Sequence, residues 1–406
     1  MSLNATPSAN RLHIGIFGRR NAGKSSFINR LTNSNVAIVS EVAGTTTDPV
    51  YKSMEIHPIG PCVLIDTAGF DDEGTLGALR LTKTRDAAEK TDIAILLTAV
   101  DQLSPFLNEP NALSYEKDWI DFFNKRKTPW LCVLNKIDLA GTGEGEECLR
   151  LLGTLTEKIY PVSSETGEGF PEFLQSLVET PVDFEAPSLT AHLVRSDDRV
   201  LLVMPQDIQA PKGRLILPQV QVIRDLLDLG AIVTAVTAEK LPGALEALKN
   251  PPDLIITDSQ VFAKVYELKP PSTKITSFSV LMARYKGDID AFVSGAAAID
   301  RLTEASRVLI AEACAHNPLD GDIGREKIPA MLRKKAGQNL KIDIASGNNF
   351  PEDLESYSLV IHCGGCMFNR RHVLSRILRA EKAGVPITNY GIAIAHLTGI
   401  LPHVEI

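Results

Sequence analysis

The chain has 406 residues, of which 44% are hydrophobic and 23% are charged, and its formal net charge is −8 at pH 7. This composition is ordinary for a globular protein, and the length predicts about three domains. The acidic balance argues against a broad nucleic-acid-binding face, and six cysteines are too sparse for a disulfide framework. Neither a secretory leader nor a long apolar stretch is found, which predicts a cytoplasmic protein without a membrane partner.

Short apolar runs alternate with helix-like segments along most of the chain. Over residues 11–180 this alternation predicts βα units around a largely parallel sheet. A proline-containing stretch then indicates a linker, and a second α/β segment follows. In it Val222, Leu226 and Leu229 share the spacing of one helix face. A break at the prolines after Lys269 separates a third α/β segment.

The first segment carries a phosphate-binding loop. Its pattern, G-x-x-x-x-G-K-S from Gly18 to Ser25, lies between an apolar strand and a helix, which is the context that the motif requires. Lys24 is expected to reach the β- and γ-phosphates, and Ser25 to bind magnesium. Farther along, Asp66 ends a strand where it can orient magnesium through water, and Gly69 can offer its amide to the γ-phosphate.

Three more motifs complete a guanine-nucleotide site. Thr46 lies in a G-T-T-T-D string where a threonine can cap the magnesium, and Asp138 of the N-K-I-D string can accept two hydrogen bonds from guanine. A serine string after the next strand completes the base pocket. The expected GTP-binding residues are Gly18, Asn21, Ala22, Gly23, Lys24, Ser25, Ser26, Asn135, Lys136, Asp138, Ser163 and Ser164. The expected catalytic residues are Lys24, Thr46, Asp66 and Gly69.

This region resembles the translation-factor-class GTPases of the TrmE/Era type, which are related to tRNA-modification and ribosome-assembly enzymes, over roughly residues 11–175. The resemblance implies that Asn21 is a ligand of an activating potassium ion and that Thr46 is a magnesium ligand. Phe70 stands where Ras-like enzymes place a water-orienting glutamine. Hydrolysis is therefore expected to depend on a monovalent cation or on a second subunit.

Two short strings near the carboxyl end concentrate soft metal ligands: Cys314-Ala-His316 and His362-Cys363-Gly-Gly-Cys366. Cys314 and Cys363 both follow predicted strands, at the ends where open α/β sheets bind their ligands. Zinc would take Cys314, His316, Cys363 and Cys366. A four-iron–four-sulfur (4Fe-4S) cluster would take the three thiolates and leave one iron for His316, His362 or an outside ligand. The residues themselves leave both metals open.

The combination of these strings with a GTPase segment and an intervening domain resembles the maturation GTPases and scaffolds of iron-only (FeFe) hydrogenase, the HydF family. The resemblance implies that Cys314, Cys363 and Cys366 hold a 4Fe-4S cluster whose fourth position is exchangeable. It also implies that the protein carries a two-iron precursor to the apo-hydrogenase and works with radical-SAM maturation enzymes. The middle domain is expected to form a homodimer, and no nucleic acid is expected as a partner.

The expected fold class is therefore α/β, with a P-loop GTPase domain followed by two smaller α/β domains with mainly parallel sheets. Their expected boundaries are 8–180 for the GTPase domain, 188–268 for the dimerisation domain and 269–406 for the cluster-binding domain. Two alternatives are an RNA-modification or ribosome-assembly GTPase with a structural zinc site, and a nickel or cobalt insertion chaperone. His372 is expected at a solvated helix start, and Arg376, Arg379 and Lys382 on a solvated helix face.

Overall fold

The chain divides into two units, Met1–Glu185 and Ala186–Ile406, each of which is described by itself. The structure, a computed structural model, describes residues 7–33, 38–42, 49–69, 74–181, 188–205, 215–313 and 322–406. Within these residues no helix is both long enough and apolar enough to cross a membrane.

The first unit is built on a seven-stranded sheet with the order β2-β3-β4-β1-β5-β6-β7. Its strands are β1 (Leu12–Phe17), β2 (Ile38–Val42), β3 (Val50–Ile56), β4 (Gly60–Asp66), β5 (Ile93–Ala99), β6 (Trp130–Asn135) and β7 (Ile159–Pro161). Its helices are α1 (Lys24–Asn33), α2 (Gly74–Ala88), α3 (Val100–Leu103), α4 (Ser114–Lys125), α5 (Glu144–Leu152) and α6 (Phe170–Glu179). β3 runs antiparallel to β2 and β4, and the remaining pairs are parallel.

The central strands of this sheet are apolar on both faces. Every residue of β1 and β5 is buried. Continuous apolar runs of this kind form strands that are covered by helices on both sides, because alternate side chains point to opposite faces. The carboxyl ends of β1, β4 and β6 are thereby fixed at one edge of the sheet, and the nucleotide motifs follow these ends.

The second unit contains two four-stranded sheets with the orders β11-β10-β8-β9 and β13-β12-β14-β15. Every pair in both sheets is parallel. The strands are β8 (Arg199–Val203), β9 (Ile232–Val236), β10 (Leu254–Thr257), β11 (Lys274–Ser277), β12 (Arg307–Glu312), β13 (Lys341–Ser346), β14 (Leu359–His362) and β15 (Ile387–Asn389). The helices are α7 (Leu217–Asp228), α8 (Leu241–Ala247), α9 (Phe262–Leu268), α10 (Phe278–Lys286), α11 (Ile289–Ala296), α12 (Ile328–Ala336), α13 (Arg370–Lys382) and α14 (Tyr390–Leu397).

The predicted fold class is confirmed: a P-loop domain precedes two smaller α/β layers with parallel sheets. The predicted helix through Val222 and Leu226 is α7, which buries both side chains completely. The second sheet extends past residue 268, since β11 pairs with β10. The expected division into three domains stays a prediction.

Candidate functional site

The phosphate-binding loop joins the end of β1 to the start of α1. Asn21 has a φ of 62° and Gly23 a φ of 87°, so the loop turns through left-handed backbone before the helix begins. The Lys24 ammonium folds back over the loop and donates to the carbonyl oxygens of Gly18 at 2.9 Å and Arg19 at 2.8 Å. The loop is therefore closed around the lysine, with its helix amino end available to an anion.

The expected magnesium residues meet across the sheet edge. The Ser25 hydroxyl donates to Oδ2 of Asp66 at 2.6 Å. Burial raises the pKa of Asp66, while the Ser25 hydrogen bond and the Lys24 charge act in the opposite direction. Gly69 approaches the loop so closely that an added Cβ would lie 2.6 Å from the Arg20 nitrogen. A side chain at position 69 would push the phosphate loop away.

The base motifs are linked to the phosphate loop through Asn135. Its amide Nδ2 donates to the Ala22 carbonyl at 3.0 Å, and its Oδ1 accepts from the backbone N–H of Ser164 at 3.1 Å and from the Ser164 hydroxyl at 2.9 Å. Lys136 has a φ of 62°, and its ammonium donates to Asp101 Oδ2 at 2.7 Å. Asp138 is exposed on a short 3-10 turn, so its carboxylate is open to a base.

The structure brings most of the sequence-predicted nucleotide residues to one edge of the sheet, where β1, β4 and β6 end. Thr46 and Phe70 lie outside the described residues. The individual roles of the residues toward GTP and its ions stay predictions.

An ion pair that the sequence analysis missed fixes the phosphate loop from the side. The Arg19 guanidinium donates to both carboxylate oxygens of Glu116 on α4, through Nε and Nη2, at 2.7 Å each. The Glu116 side chain is completely buried, and Arg19 also lies 5.5 Å from the Tyr115 ring centroid. A glutamate in the polar-looking string S-Y-E-K-D carries no sequence signal for burial.

Replacing Glu116 by glutamine should therefore weaken nucleotide binding. The substitution keeps the shape but leaves the Arg19 cation without its carboxylate, and breaking a buried pair costs about 3–5 kcal/mol. Part of that cost falls on the loop conformation, so we expect a roughly tenfold or larger rise in the nucleotide Kd. The measurement is titration with a fluorescent guanine nucleotide.

The matched control is Glu89→Gln, which removes a similar partly buried pair with Arg126 at 2.9 Å in the same unit. It should lower the unfolding temperature without changing nucleotide affinity. Equal Kd values for Glu116→Gln and wild type would show that the pair is only structural.

The cysteine loop connects the end of β14 to the start of α13. Gly365 takes a φ of 63°, which glycine adopts at no steric cost, and the Phe368 N–H closes the turn on the Gly365 carbonyl at 2.9 Å. The Ala313 N–H donates to Cys363 Sγ at 3.0 Å. Cys314 and His316 lie outside the described residues, but Cys314 is covalently attached to Ala313.

Both ring nitrogens of His362 are engaged in hydrogen bonds. Nδ1 lies 2.7 Å from the Cys363 carbonyl oxygen, which can only accept, so Nδ1 carries the proton. Nε2 then accepts from Arg376 Nη1 at 3.1 Å. Burial, aided by the Arg376 charge, lowers the pKa of His362 to about 3. In this arrangement His362 is a neutral residue that holds the loop, and binding iron would require the Arg376 bond to break.

Two expectations about α13 are wrong, the solvated positions of His372 and Arg376, whereas Lys382 is exposed as expected. Arg376 is only 1% exposed, and its guanidinium lies 4.8 Å from the Phe350 ring centroid and 4.6 Å from that of Phe368. His372 is also buried, and its ring stacks on Phe368 at 3.9 Å. The helix start is covered because the cysteine loop folds back over it, so these polar residues line the loop instead of facing solvent.

A second cation reaches the cysteine loop from α10. Lys286 is 2% exposed, and its ammonium donates to the Phe368 carbonyl at 2.9 Å. Burial raises the pKa of the Cys366 thiol, and the Lys286 charge counters part of that rise. No sequence signal connected Lys286 to the cysteines, which are about eighty residues away.

Among the residues that the structure describes, no group of three or more histidine, cysteine, aspartate or glutamate side chains is arranged to hold a metal ion. The two described cysteines nevertheless suit an iron–sulfur group. Two residues separate the two sulfur ligands, a backbone N–H donates to Cys363, and the buried Lys286 ammonium binds the Phe368 carbonyl of the same loop. Hydrogen bonds to sulfur and nearby charge are the features by which proteins tune such clusters.

Comparison with known families bears on two of the functions considered, hydrogenase maturation and RNA modification or ribosome assembly. The model described as "Hydrogen maturase F dimerization domain" matches residues 189–287, and the one described as "Hydrogen maturase F tetramerization domain" matches residues 290–404. Together they cover more than half of the chain. The chain belongs to the hydrogen maturase F family. A third model, "50S ribosome-binding GTPase", matches residues 13–136, and the first unit of the chain is a GTPase domain. The resemblances drawn from the motifs are confirmed.

Individual relatives match the GTPase region. The tRNA modification GTPase MnmE of Endomicrobium trichonymphae is 35% identical over 172 residues, which are 41% of this chain and 35% of the relative. GTPase Der of Wolinella succinogenes is 46% identical over 132 residues, which are 32% of this chain and 26% of the relative. The chain thus spans about a third of the length of those curated relatives. Among solved structures, Era of Aquifex aeolicus is 18% identical and covers 58% of this chain and 98% of its own, with a TM-score of 0.33.

Proposed function

We propose that this protein is a GTP-hydrolysing scaffold that binds a 4Fe-4S cluster and a two-iron precursor and delivers the precursor to apo FeFe-hydrogenase. The observation that carries the proposal is the hydrogen bond from Ala313 N–H to Cys363 Sγ at 3.0 Å, in a chain whose second unit matches the hydrogen maturase F models. The contact supports a meeting of the two cysteine strings, although they lie some fifty residues apart.

The residues proposed to hold the cluster are Cys314, Cys363 and Cys366. When bound, the cluster would supply an iron with an exchangeable fourth ligand, a position that can accept and release a precursor. Three thiolates with one open position suit a carrier better than a closed four-ligand site does. His316 remains a candidate for the fourth ligand. We propose that His362 holds the loop instead, since both of its nitrogens are engaged.

The nucleotide site is proposed to bind GTP with magnesium and to hydrolyse it. Lys24 would neutralise the phosphates, Ser25 and Thr46 would bind magnesium, and Asp66 would orient the ion through water. The contact between Ser25 and Asp66 supports this assignment, because both groups need only part slightly to admit an ion. Asn21 is proposed as a ligand of an activating potassium ion.

Exchange of sodium for potassium should raise GTP turnover by roughly tenfold or more, because a fixed cation beside the developing charge acts as an additional electrostatic stabiliser. Asn21→Gly should abolish the response and retain the loop, since glycine adopts the φ of 62° found at this position. Phosphate release at matched ionic strength measures the effect. Equal turnover in the two salts would remove potassium from the proposal.

The proposal as a whole is tested by anaerobic reconstitution and transfer. Iron and sulfide content, with electron paramagnetic resonance of the reduced protein, reports the cluster. Activation of apo FeFe-hydrogenase, after co-expression with radical-SAM maturation enzymes, reports delivery. A colourless protein that contains zinc and fails to activate the hydrogenase would favour the RNA-modification or ribosome-assembly alternative, against which the two hydrogen maturase F matches now weigh.

The dimerization and tetramerization matches support an oligomeric scaffold, and we propose a homodimer formed by the middle region. Cluster-binding thiolates require a reducing environment, so the cytoplasm is the proposed location.

A further inference from the structure

Helix α10, which lies in the region matched by the dimerization model, is joined to the cysteine loop by hydrogen bonds in both directions. Lys286, its last residue, donates to the Phe368 carbonyl at 2.9 Å. In return, Arg370 Nη1 donates to the carbonyl oxygens of Arg284 at 3.1 Å, Tyr285 at 2.6 Å and Gly287 at 3.2 Å. A cation that binds the last carbonyls of a helix is favoured by both hydrogen bonding and the helix dipole.

Two buried cations therefore flank the turn that carries Cys363 and Cys366. Lys286 approaches from α10 and is 2% exposed, and Arg376 approaches from α13 and is 1% exposed. Burying a positive charge is costly unless negative charge or good hydrogen-bond acceptors lie close to it. Both cations are hydrogen-bonded to neutral acceptors, Lys286 to the Phe368 carbonyl and Arg376 to His362 and the Gly347 carbonyl. Their charges on the two sides of one short loop would stabilise an anionic occupant.

A cluster held by three cysteines would be such an anionic occupant. The three thiolates bring more negative charge than the iron–sulfide core brings positive charge, and reduction adds a further negative charge. A nearby buried cation stabilises the more negative state most, because Coulomb interactions are screened less away from water. It should therefore raise the reduction potential of the cluster.

We propose that Lys286 is a positioning residue of the cluster site that fixes the cysteine turn and offsets the charge of the bound cluster, so that the region matched by the dimerization model sets the reduction potential. The inference rests on the proposed function, because it presupposes a cluster on the three cysteines. Arg376 supports the other side of the turn. It is a less specific target for substitution, because its replacement would also remove the hydrogen bonds to His362 and to the Gly347 carbonyl.

The experiment compares Lys286→Met and Lys286→Arg in the full-length protein, reconstituted anaerobically with iron and sulfide. The midpoint potential of the cluster is measured by redox titration followed by electron paramagnetic resonance. Lys286→Met should shift the midpoint to a more negative potential, and Lys286→Arg should leave it close to wild type. Lys274→Met, at a side chain that is 55% exposed in the same unit, is the matched control and should produce no shift.

The possible outcomes distinguish failure of this inference from failure of the proposed scaffold function. Wild-type protein that takes up no iron would overturn the proposed function and this inference with it. A loaded Lys286→Met protein with an unchanged midpoint would overturn the inference alone. Cluster loss in Lys286→Met that Lys286→Arg restores supports the role of the charge, whereas loss in both variants would show that only the shape of lysine matters and would also overturn it.

Discussion

Asp138→Asn should weaken GTP binding more than any other single change in the base pocket. The carboxylate is expected to accept two hydrogen bonds, from the guanine N1–H and N2–H groups. Asparagine keeps one oxygen that can accept from N1–H, but its amide N–H group then faces the guanine N2–H donor. Losing one hydrogen bond to a charged partner costs about 1.5–3 kcal/mol, which corresponds to a roughly 10- to 10²-fold or larger loss of affinity. Titration with a fluorescent GTP analogue measures this directly.

The same substitution should change the preferred base from guanine to xanthine. An asparagine amide can accept from N1–H and donate to the C2 oxygen of xanthine, so binding of xanthosine triphosphate should improve as GTP binding fails. The matched control is Asp121→Asn, an exposed carboxylate on α4, which should leave both affinities unchanged. If Asp138→Asn bound GTP as tightly as wild type, the N-K-I-D string would not form the base pocket.

The nucleotide motifs could be predicted from the sequence because their chemistry is local. A phosphate group requires a lysine and successive backbone N–H groups at fixed spacing, and the strand before Gly18 and the helix after it are visible as apolar periodicity. The structure then adds what spacing cannot give. Asn135 belongs to the base motif, and its side chain links that motif to the phosphate loop by bonding to the Ala22 carbonyl and to Ser164.

The charged residues around the cysteine loop could not be predicted, since their burial depends on distant segments. Arg376 stands on a helix with other basic residues and looks solvated in the sequence. It is buried because the rings of Phe350 and Phe368 both pack against its guanidinium. Lys286 and Glu116 are also buried by contacts with distant segments of the chain. Each is a charged residue whose partner comes from far along the chain, and propensity patterns report only neighbours in sequence.

The expected break after Lys269 coincides with the turn between α9 and β11. Pro270 and Pro271 interrupt the helical pattern, as prolines do. The chain nevertheless returns to the second sheet, where the Lys269 ammonium holds the turn by donating to the Thr273 carbonyl at 2.7 Å. Ile275 of the following strand then pairs with Ile255. A proline pair marks the end of a helix, but it does not reveal whether the next strand belongs to the same sheet.

Cys363→Ser should remove most of the iron from the reconstituted protein while GTP hydrolysis continues. A serine hydroxyl is a far poorer ligand for iron than a thiolate, and we expect iron occupancy to fall by about tenfold or more. The same change weakens the contact with the Ala313 N–H, which would otherwise hold the two cysteine strings together. Iron and sulfide analysis, alongside phosphate release from GTP, gives both readouts on one preparation.

Cys148→Ser is the matched control, because Cys148 is completely buried in the apolar core around α5 and belongs to neither cysteine string. It should lower stability, since a hydroxyl placed there lacks a partner, but it should not change iron content. Thiol alkylation of the apo-protein supplies a further check. Burial raises the pKa of Cys62 and of Cys132 to about 12, so these thiols stay protonated and slow to react near neutral pH. Cys363 is only partly buried, so Cys363→Ser should remove one thiol that the reagent can reach. If the Cys363→Ser protein kept its full iron content and a wild-type electron paramagnetic resonance spectrum, Cys363 would not be a cluster ligand. The proposed carrier role would then lose its structural support, and only the nucleotide-binding function would remain.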